Sequence, residues 1–375
     1  ICWRCSDSLS LREFLGLAPT ETVPDHSSLC RIRQRLPLEV HHEMFVFVLK
    51  LLEQANLLGG KYLGIDASTM EANAAMKSIV RRDTGETYQE MLERLAEESG
   101  IKTPTQAELV AFDRKRKGKK ASNKEWQSST DEESCIARLK DGRTHMAYKP
   151  EHVVDLESGA IVAAVIHPAD QGDTKTVADT FTDAQAKLCA VKDRQDVSTI
   201  DKPFDLVADK GYHSREVLKS LPDCCRSRIS EPKAKGHLRW YGDIKARAAV
   251  YGNRTRLKSC KGKALLRARG EKVERSFALC LDRGGMRRSF LRGIENIEKR
   301  YIIQKRYIIH VAGFNLGALL RALFGFGTPK GLADARAWLI FARIGAMNLL
   351  ILVIWPPNTV EQPEDPIIVC IGWQI

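Results

Sequence analysis

Residues 62–69 read Y-L-G-I-D-A-S-T, and residues 205–214 read D-L-V-A-D-K-G-Y-H-S. Each is a short apolar run that stops on an aspartate, Asp66 in the first and Asp209 in the second, and then breaks into small and polar residues. Such runs, bounded by turn formers, read as buried strands, so both aspartates are placed at strand ends. A third stretch, R-G-E-K-V-E-R-S-F at 269–277, puts Glu274 on a helix over 264–281 whose apolar stripe is Leu266, Val273, Phe277 and Cys280.

Between these stretches, Thr144 to Asp155 and Ala160 to Ile166 read as paired strands around the turn Glu157-Ser158-Gly159. Asp173 or Thr174 is placed as the cap of a helix reaching Ala190, and Ser214 as the cap of another that Pro222 ends. Arg226 to Ser230 is a further strand. The order strand, hairpin, helix, strand, helix, strand, helix predicts a mixed α/β sheet flanked by helices. Residues 71–140, polar and helix-rich, read as an insertion after the first strand, with the basic run D-R-K-R-K-G-K-K-A-S-N-K at 113–124 as a solvated linker or a nucleic-acid patch.

Residues 1–58 read as an all-helical domain. Ser10 is placed as a cap with Glu13 at the capping-box position, and Pro24-Asp25-His26-Ser27-Ser28 as a turn and cap. Glu39 to Leu58 carries a stripe of Met44, Phe45, Val48, Leu51, Leu52 and Leu58. Arg31, Arg33 and Arg35 fit either phosphate contact or a solvated face. The start at Ile1 rather than Met reads as a truncated N-terminus. The domain scheme is then 1–58, a sheet domain over 59–325, and a C-terminal tail over 326–375.

The chain holds 59 Lys and Arg against 47 Asp and Glu, a formal net charge of +12, which favours a polyanionic partner. Between 226 and 275 the imbalance is sixteen to four. The ten cysteines are scattered, and Cys2-x-x-Cys5 lacks a second pair at zinc-finger distance, so reduced thiols in the cytoplasm are expected. The apolar stretch 337–355 is interrupted by Arg343 and Asn348 and falls short of the ~20 residues that span a bilayer. No membrane partner is expected.

Each carboxylate has a structural reading when taken singly: a turn cap for Asp66, a backbone acceptor for Asp209, a solvated helix residue for Glu274. As a set in a basic protein they suit Mg²⁺ or Mn²⁺, whose two-metal sites activate water and stabilise the leaving oxygen in phosphodiester cleavage. Glu271, one turn before Glu274, is the rival third member. Lys149, Lys210, Arg269 and Arg275 lie close enough in sequence to these elements to be candidate phosphate contacts.

The chain resembles bacterial insertion-sequence transposases of the DDE superfamily. The matching stretches, in family order, are S-L-S-L-R-E-F-L-G-L, P-D-H-S-S-L-C-R-I-R-Q-R-L, G-I-D-A-S-T-M-E-A-N-A-A-M, K-D-G-R-T-H-M-A-Y-K, A-D-Q-G-D-T, A-D-K-G-Y-H-S, E-K-V-E-R-S-F-A and G-G-M-R-R-S-F-L-R-G. The resemblance implies a ribonuclease-H-like catalytic domain behind an N-terminal helical transposase domain. It assigns the catalytic, metal-binding positions to Asp66, Asp209 and Glu274. It implies cleavage at element ends, strand transfer by the freed 3′-hydroxyl into target DNA, and action as a homo-oligomer on paired ends. Two departures point toward the alternatives of a catalytically impaired DNA-binding remnant or a nuclease without strand transfer. Relatives carry a DNA-binding lysine seven residues after the glutamate, where this chain has Leu281, leaving Arg283 as the substitute. The second is K-R-Y-I-I-Q-K-R-Y-I-I-H at 299–310, a tandem hexapeptide. Six residues turn a helix by about 240° net, so an added copy would swing the later stripe off its face, and deleting one copy is expected to raise soluble yield.

Overall fold

The computed structural model describes residues 2–117, 121–139, 142–192, 204–221, 225–233, 239–291 and 299–327. The stretch 337–355 and nearly all of the expected tail lie outside these residues. The chain divides into two compact units, Ile1–Leu319 and Leu320–Ile375.

Four helices open the first unit: α1 (Cys2–Asp7), α2 (Leu9–Phe14), α3 (His26–Arg35) and α4 (Leu38–Gln54). The cap of α2 is Ser8, which accepts from the Leu11 N–H, so the expected cap at Ser10 lies inside the helix instead. Asp25 caps α3 as expected, accepting from the Ser28 N–H at 2.6 Å, and these bonds hold its carboxyl down at about 2. In α4 the buried face is His41, Phe45, Val48, Leu49 and Leu52, while Met44 is 58% exposed. The stripe is therefore set by the i, i+4, i+7 spacing that runs through Phe45, which leaves Met44 outside.

Next come β1 (Tyr62–Ala67), β2 (Met70–Glu71), β3 (Ile79–Arg81), α5 (Tyr88–Glu98), α6 (Gln106–Lys115), β4 (Trp126–Ser128) and β5 (Cys135–Arg138). Thr87 and Thr105 start α5 and α6 with full capping boxes to Glu90 and Glu108. The long β6 (Thr144–Asp155) turns at Gly159, whose φ of +85° suits a residue without Cβ, into β7 (Ile161–Pro168). Then follow α7 (Asp173–Val191), β8 (Phe204–Ala208), α8 (Arg215–Ser220), β9 (Cys225–Ile229), α9 (Ile244–Lys258), α10 (Cys260–Phe277) and α11 (Lys299–Phe324). A π-helical turn at Ala278–Arg283 extends α10.

β6 is the hub of the sheet. It runs antiparallel to β1 and β7, with β2 and β5 beside its first half. β1 pairs with β8 in parallel, and β8 with β9 likewise. The main order is β7-β6-β1-β8-β9. One face carries α7 and the other α10.

Both outer strands are closed by amide side chains. Gln304 on α11 accepts from the Ile166 N–H and donates to the Ala164 carbonyl, and Asn315 does the same at both backbone groups of Ile161. Asn253 on α9 caps Ile229 of β9 in the same way. Each bond satisfies a backbone group that an unpaired edge would leave free. By length and composition α11 could cross a membrane, yet its amides are spent on β7.

The tandem hexapeptide lies wholly inside α11 without a bulge. Of the buried residues of α11, Lys299, Ile303, Gln304, Tyr307, Ile308, Val311 and Asn315 continue one stripe across both copies, and Lys305 is buried beside it. The two copies thus present different faces. Tyr301 accepts the Leu38 N–H at 2.8 Å, whereas Tyr307 bonds His152 at 2.7 Å.

Candidate active site

Pairing of β1 with β8 runs Tyr62 to Asp205, Leu63 to Leu206 and Gly64 to Val207. Two residues further along the same parallel register, Asp66 and Asp209 leave the sheet side by side. Asp66 is half-buried and Asp209 exposed. Side chains alternate between faces along a strand, so Asp66 and its partner His152 on β6 point to the α10 side, and Glu151 and Lys149 to the α7 side.

On the α10 side, Arg269 reaches back to β1. Its guanidinium sits 2.8 Å from the Asp66 carboxylate, and its Nε donates to the Ile65 carbonyl at 3.2 Å. Burial raises the Asp66 pKa, the charges of Asp173 and Asp209 raise it further, and Arg269 and the Ala67 N–H oppose them. Next to Asp66, His152 is fully enclosed. It stacks on Phe277 at 4.1 Å between ring centres and bonds Ser276 at 2.8 Å and Tyr307 at 2.7 Å. This trio ties β6, α10 and α11 together.

On the α7 side lies a network missed at the sequence level. Asp173 is the first residue of α7, with Gly172 as the cap position, so its carboxylate is not spent on the helix end. It pairs instead with Lys149 at 2.7 Å and sits against Gly211, where an added Cβ would overlap it. Lys149 also donates to Thr176 at 2.9 Å and to the Gln171 carbonyl at 3.2 Å. Behind it Glu151, completely buried, accepts from Tyr212 at 2.7 Å, from Thr176 at 3.0 Å and from Thr180, with His167 at 3.5 Å. Burial alone would raise the Glu151 pKa, but the bonds from His167, Thr180 and Tyr212 and the Lys149 charge hold it below the usual range. Tyr212 comes from the turn that follows Asp209, so this network anchors the Asp209 turn to α7. The A-D-Q-G-D-T stretch and the strand pattern at 144–155 were the signals at hand, but neither says that residues 149, 151 and 173 meet.

Of the expected phosphate contacts, two are placed otherwise. Lys149 is only 6% exposed because Asp173, Thr176 and the Gln171 carbonyl enclose it, and Arg269 is turned inward onto Asp66. Arg275 is exposed and paired with Glu271 at 2.7 Å. Lys210 and Arg283 are exposed. Glu274 is exposed too, because Val273 and Phe277 take the inward face of α10. Asp173 and Asp209 are near enough to Asp66 for their charges to bear on its carboxylate, and Glu274 stands on the exposed face of α10. Among the described residues no three His, Cys, Asp or Glu side chains form a set that could hold a metal ion as they stand. Leu281, where the resemblance implies a lysine, is fully buried in the core.

Residues 93–306 match the family "Transposase DDE domain", and residues 1–35 match "Transposase domain (DUF772)". Asp209 and Glu274 fall inside the first match, and Asp66 precedes it. No curated protein and no solved structure matches the chain.

Proposed function

The chain belongs to the DDE transposase family, whose members cut and join nucleic acid, and from that premise we propose that it is an insertion-sequence transposase that cleaves DNA at element ends and joins the freed 3′-hydroxyl to target DNA. The observation that carries the proposal is the parallel β1–β8 pairing, which sets Asp66 beside Asp209 at the carboxyl ends of adjacent strands. The order β7-β6-β1-β8-β9, with β6 antiparallel to both neighbours, supports a ribonuclease-H-like core.

The donor set fits a hard divalent cation. The charges of Asp209 and Asp173 both bear on the Asp66 carboxylate, and their repulsion is what a cation such as Mg²⁺ or Mn²⁺ relieves. Bound there, the cations would activate water and balance charge on the leaving oxygen. Asp66 and Asp209 would hold them, and the family resemblance gives Glu274 as the third ligand from α10. The chain's own residues set the frame. The Glu151–Tyr212 bond fixes the turn that carries Asp209, the His152–Ser276 bond fixes α10, and Arg269 balances Asp66. Exposed Lys210 and Arg283 remain the candidates for phosphate contact near the site.

A second reading, a DNA-binding remnant that does not cut, is favoured by the buried Leu281 at the lysine position. Incubation with duplex DNA bearing the element ends and Mg²⁺ separates the readings. The transposase reading expects cut and joined products that Asp209→Asn abolishes while a gel shift persists. Cutting retained by Asp209→Asn would sink the site assignment, and a gel shift without any products would favour the remnant.

A further inference from the structure

The turn that carries Asp209 is seated on a buried acid. Asp209 follows the last residue of β8 and opens a short 3-10 turn, Lys210–Tyr212, in which the Tyr212 N–H donates to the Asp209 carbonyl at 3.1 Å. The Asp209 side chain makes no cap bond to that turn, and it stays exposed. Three residues on, Tyr212 is fully buried, and its hydroxyl donates to Glu151 Oε1 at 2.7 Å. Glu151 is also fully buried. Thr176 holds the same oxygen at 3.0 Å and Thr180 holds the other, both from α7. One residue before Tyr212, the Gly211 backbone abuts Asp173 so closely that a Cβ there would overlap the Asp173 carboxylate. Lys149 braces both acids, with its ammonium 2.7 Å from Asp173 and 3.8 Å from Glu151. Two consecutive residues of the turn are thus held, one from β6 and one from the start of α7.

Asp66 lies within β1 and is placed by its ladder partner His152 on β6, whereas Asp209 lies one residue beyond β8 and depends on its turn. A carboxylate on an exposed turn binds a cation only as well as the turn keeps it in place, because a mobile ligand must be ordered when the cation arrives. Partners behind a metal ligand that fix its orientation are accordingly worth about ten- to a hundredfold in affinity. The Tyr212–Glu151 bond is placed to act in this way. Both partners are dry, so losing the hydroxyl leaves a buried carboxylate short of a donor and frees the turn to move. We propose that Tyr212 and Glu151 are positioning residues for Asp209, and that their bond, with Asp173 behind Gly211, sets how tightly the site takes its divalent cation. The assignment rests on the reading of Asp209 as a metal ligand.

The test is Mn²⁺ binding by the DNA-free full chain, followed through the paramagnetic resonance signal of the unbound ion, with melting temperatures measured alongside. Tyr212→Phe removes one hydroxyl and is expected to weaken Mn²⁺ binding by about tenfold or more. Tyr148→Phe is the matched control. The Tyr148 hydroxyl is equally buried and donates to the Asp131 carboxylate at the same 2.7 Å, but the side chain points to the face of β6 opposite Lys149 and Glu151. Its loss should lower the melting temperature about as much while Mn²⁺ affinity stays at the wild-type value. Gly211→Ala breaks no hydrogen bond but must push the turn or Asp173 aside, and it too should weaken Mn²⁺ binding. With Asp209→Asn binding Mn²⁺ less tightly than wild type, wild-type affinity in folded Tyr212→Phe would overturn the proposal, as would an equal loss of affinity in Tyr148→Phe. Where Tyr212→Phe does not fold, wild-type affinity in Gly211→Ala overturns it instead. If Asp209→Asn binds Mn²⁺ as the wild type does, the reading of Asp209 as a ligand falls and the positioning role falls with it.

Discussion

Arg269 holds the Asp66 carboxylate at 2.8 Å while the charges of Asp173 and Asp209 bear on the same carboxylate with the opposite effect. The guanidinium is thus the counter-charge of Asp66, as Lys149 is of Asp173. Arg269→Gln removes the charge and keeps a hydrogen-bonding amide on a shorter side chain. In the absence of divalent cation it is expected to cost about 1–3 kcal/mol, the usual range for leaving a partly buried charge unpaired. Added Mg²⁺ should restore more stability in the variant than in the wild type, because a cation then has more repulsion to relieve. Thermal melting with Mg²⁺ and with EDTA checks this, and equal shifts in the two proteins would sink it.

Lys149 separates a buried structural charge from a DNA contact. It is bound by Asp173, with the fully buried Glu151 3.8 Å away. Lys149→Met leaves both carboxylates without their cation, and the expected loss is about 3–5 kcal/mol. The salt slope of DNA binding should not change, since the ammonium does not reach a phosphate. A slope lower by one in a variant of unchanged stability would place Lys149 on the DNA after all.

His152 gives the fold a pH dependence of known sign. Complete burial holds its pKa at about 3, below the ordinary histidine value of 6.5. Between those values the unfolded chain binds a proton that the folded chain does not, so stability falls as pH drops from 6.5 toward 3. The slope from this group approaches ~1.4 kcal/mol per pH unit, and above about pH 6.5 it adds nothing. His152→Gln should be less stable at neutral pH, having lost the Ser276 and Tyr307 bonds, but should show a flatter loss between about pH 6 and 4. Urea midpoints across that range decide it: parallel curves for the two proteins would refute the assignment.

These relationships mark how far the amino-acid sequence could be read. Strand ends at Asp66 and Asp209, the β6–β7 turn at Gly159 and the caps Asp25 and Ser214 were legible because each rests on local spacing or on a residue's own backbone preference. Lys149, Asp173 and Glu151 were not, because their pairing depends on α7 crossing the sheet, which no local pattern encodes. Helix α9 is hard to see in the sequence because its buried face is only Ala246, Val250 and Asn253, a weak apolar signal in a basic stretch. Leu265 rather than Leu266 is the buried leucine of α10, because the inward stripe passes through Arg269 and Val273. That same stripe leaves Glu274 outward, where the periodicity alone would also have placed it.

The hexapeptide offers the sharpest reversal. On sequence alone, a second copy swings the helix out of register and its deletion should raise soluble yield. The distances in α11 argue the opposite. Gln304 and Asn315 are eleven residues apart, about 16.5 Å along a helix and within about 20° of the same face. Their targets on β7, Ile166 and Ile161, are five residues apart, about 17 Å along a strand. The two amides match the strand only with both copies present. Deleting Lys305–His310 would bring Gln304 within five residues of Asn315, about 7.5 Å apart and about 140° out of line. One amide pair, the Tyr307–His152 bond and the Lys305 contact to the Gln34 carbonyl would be lost together. Each buried backbone group left unpaired costs about 1–3 kcal/mol. Deleting Lys299–Gln304 removes Gln304 itself and the Tyr301 bond to Leu38. Either deletion is therefore expected to lower both soluble yield and melting temperature, and a shortened chain that is as soluble and as heat-stable as the full one would show that α11 does not owe its seat on β7 to this spacing.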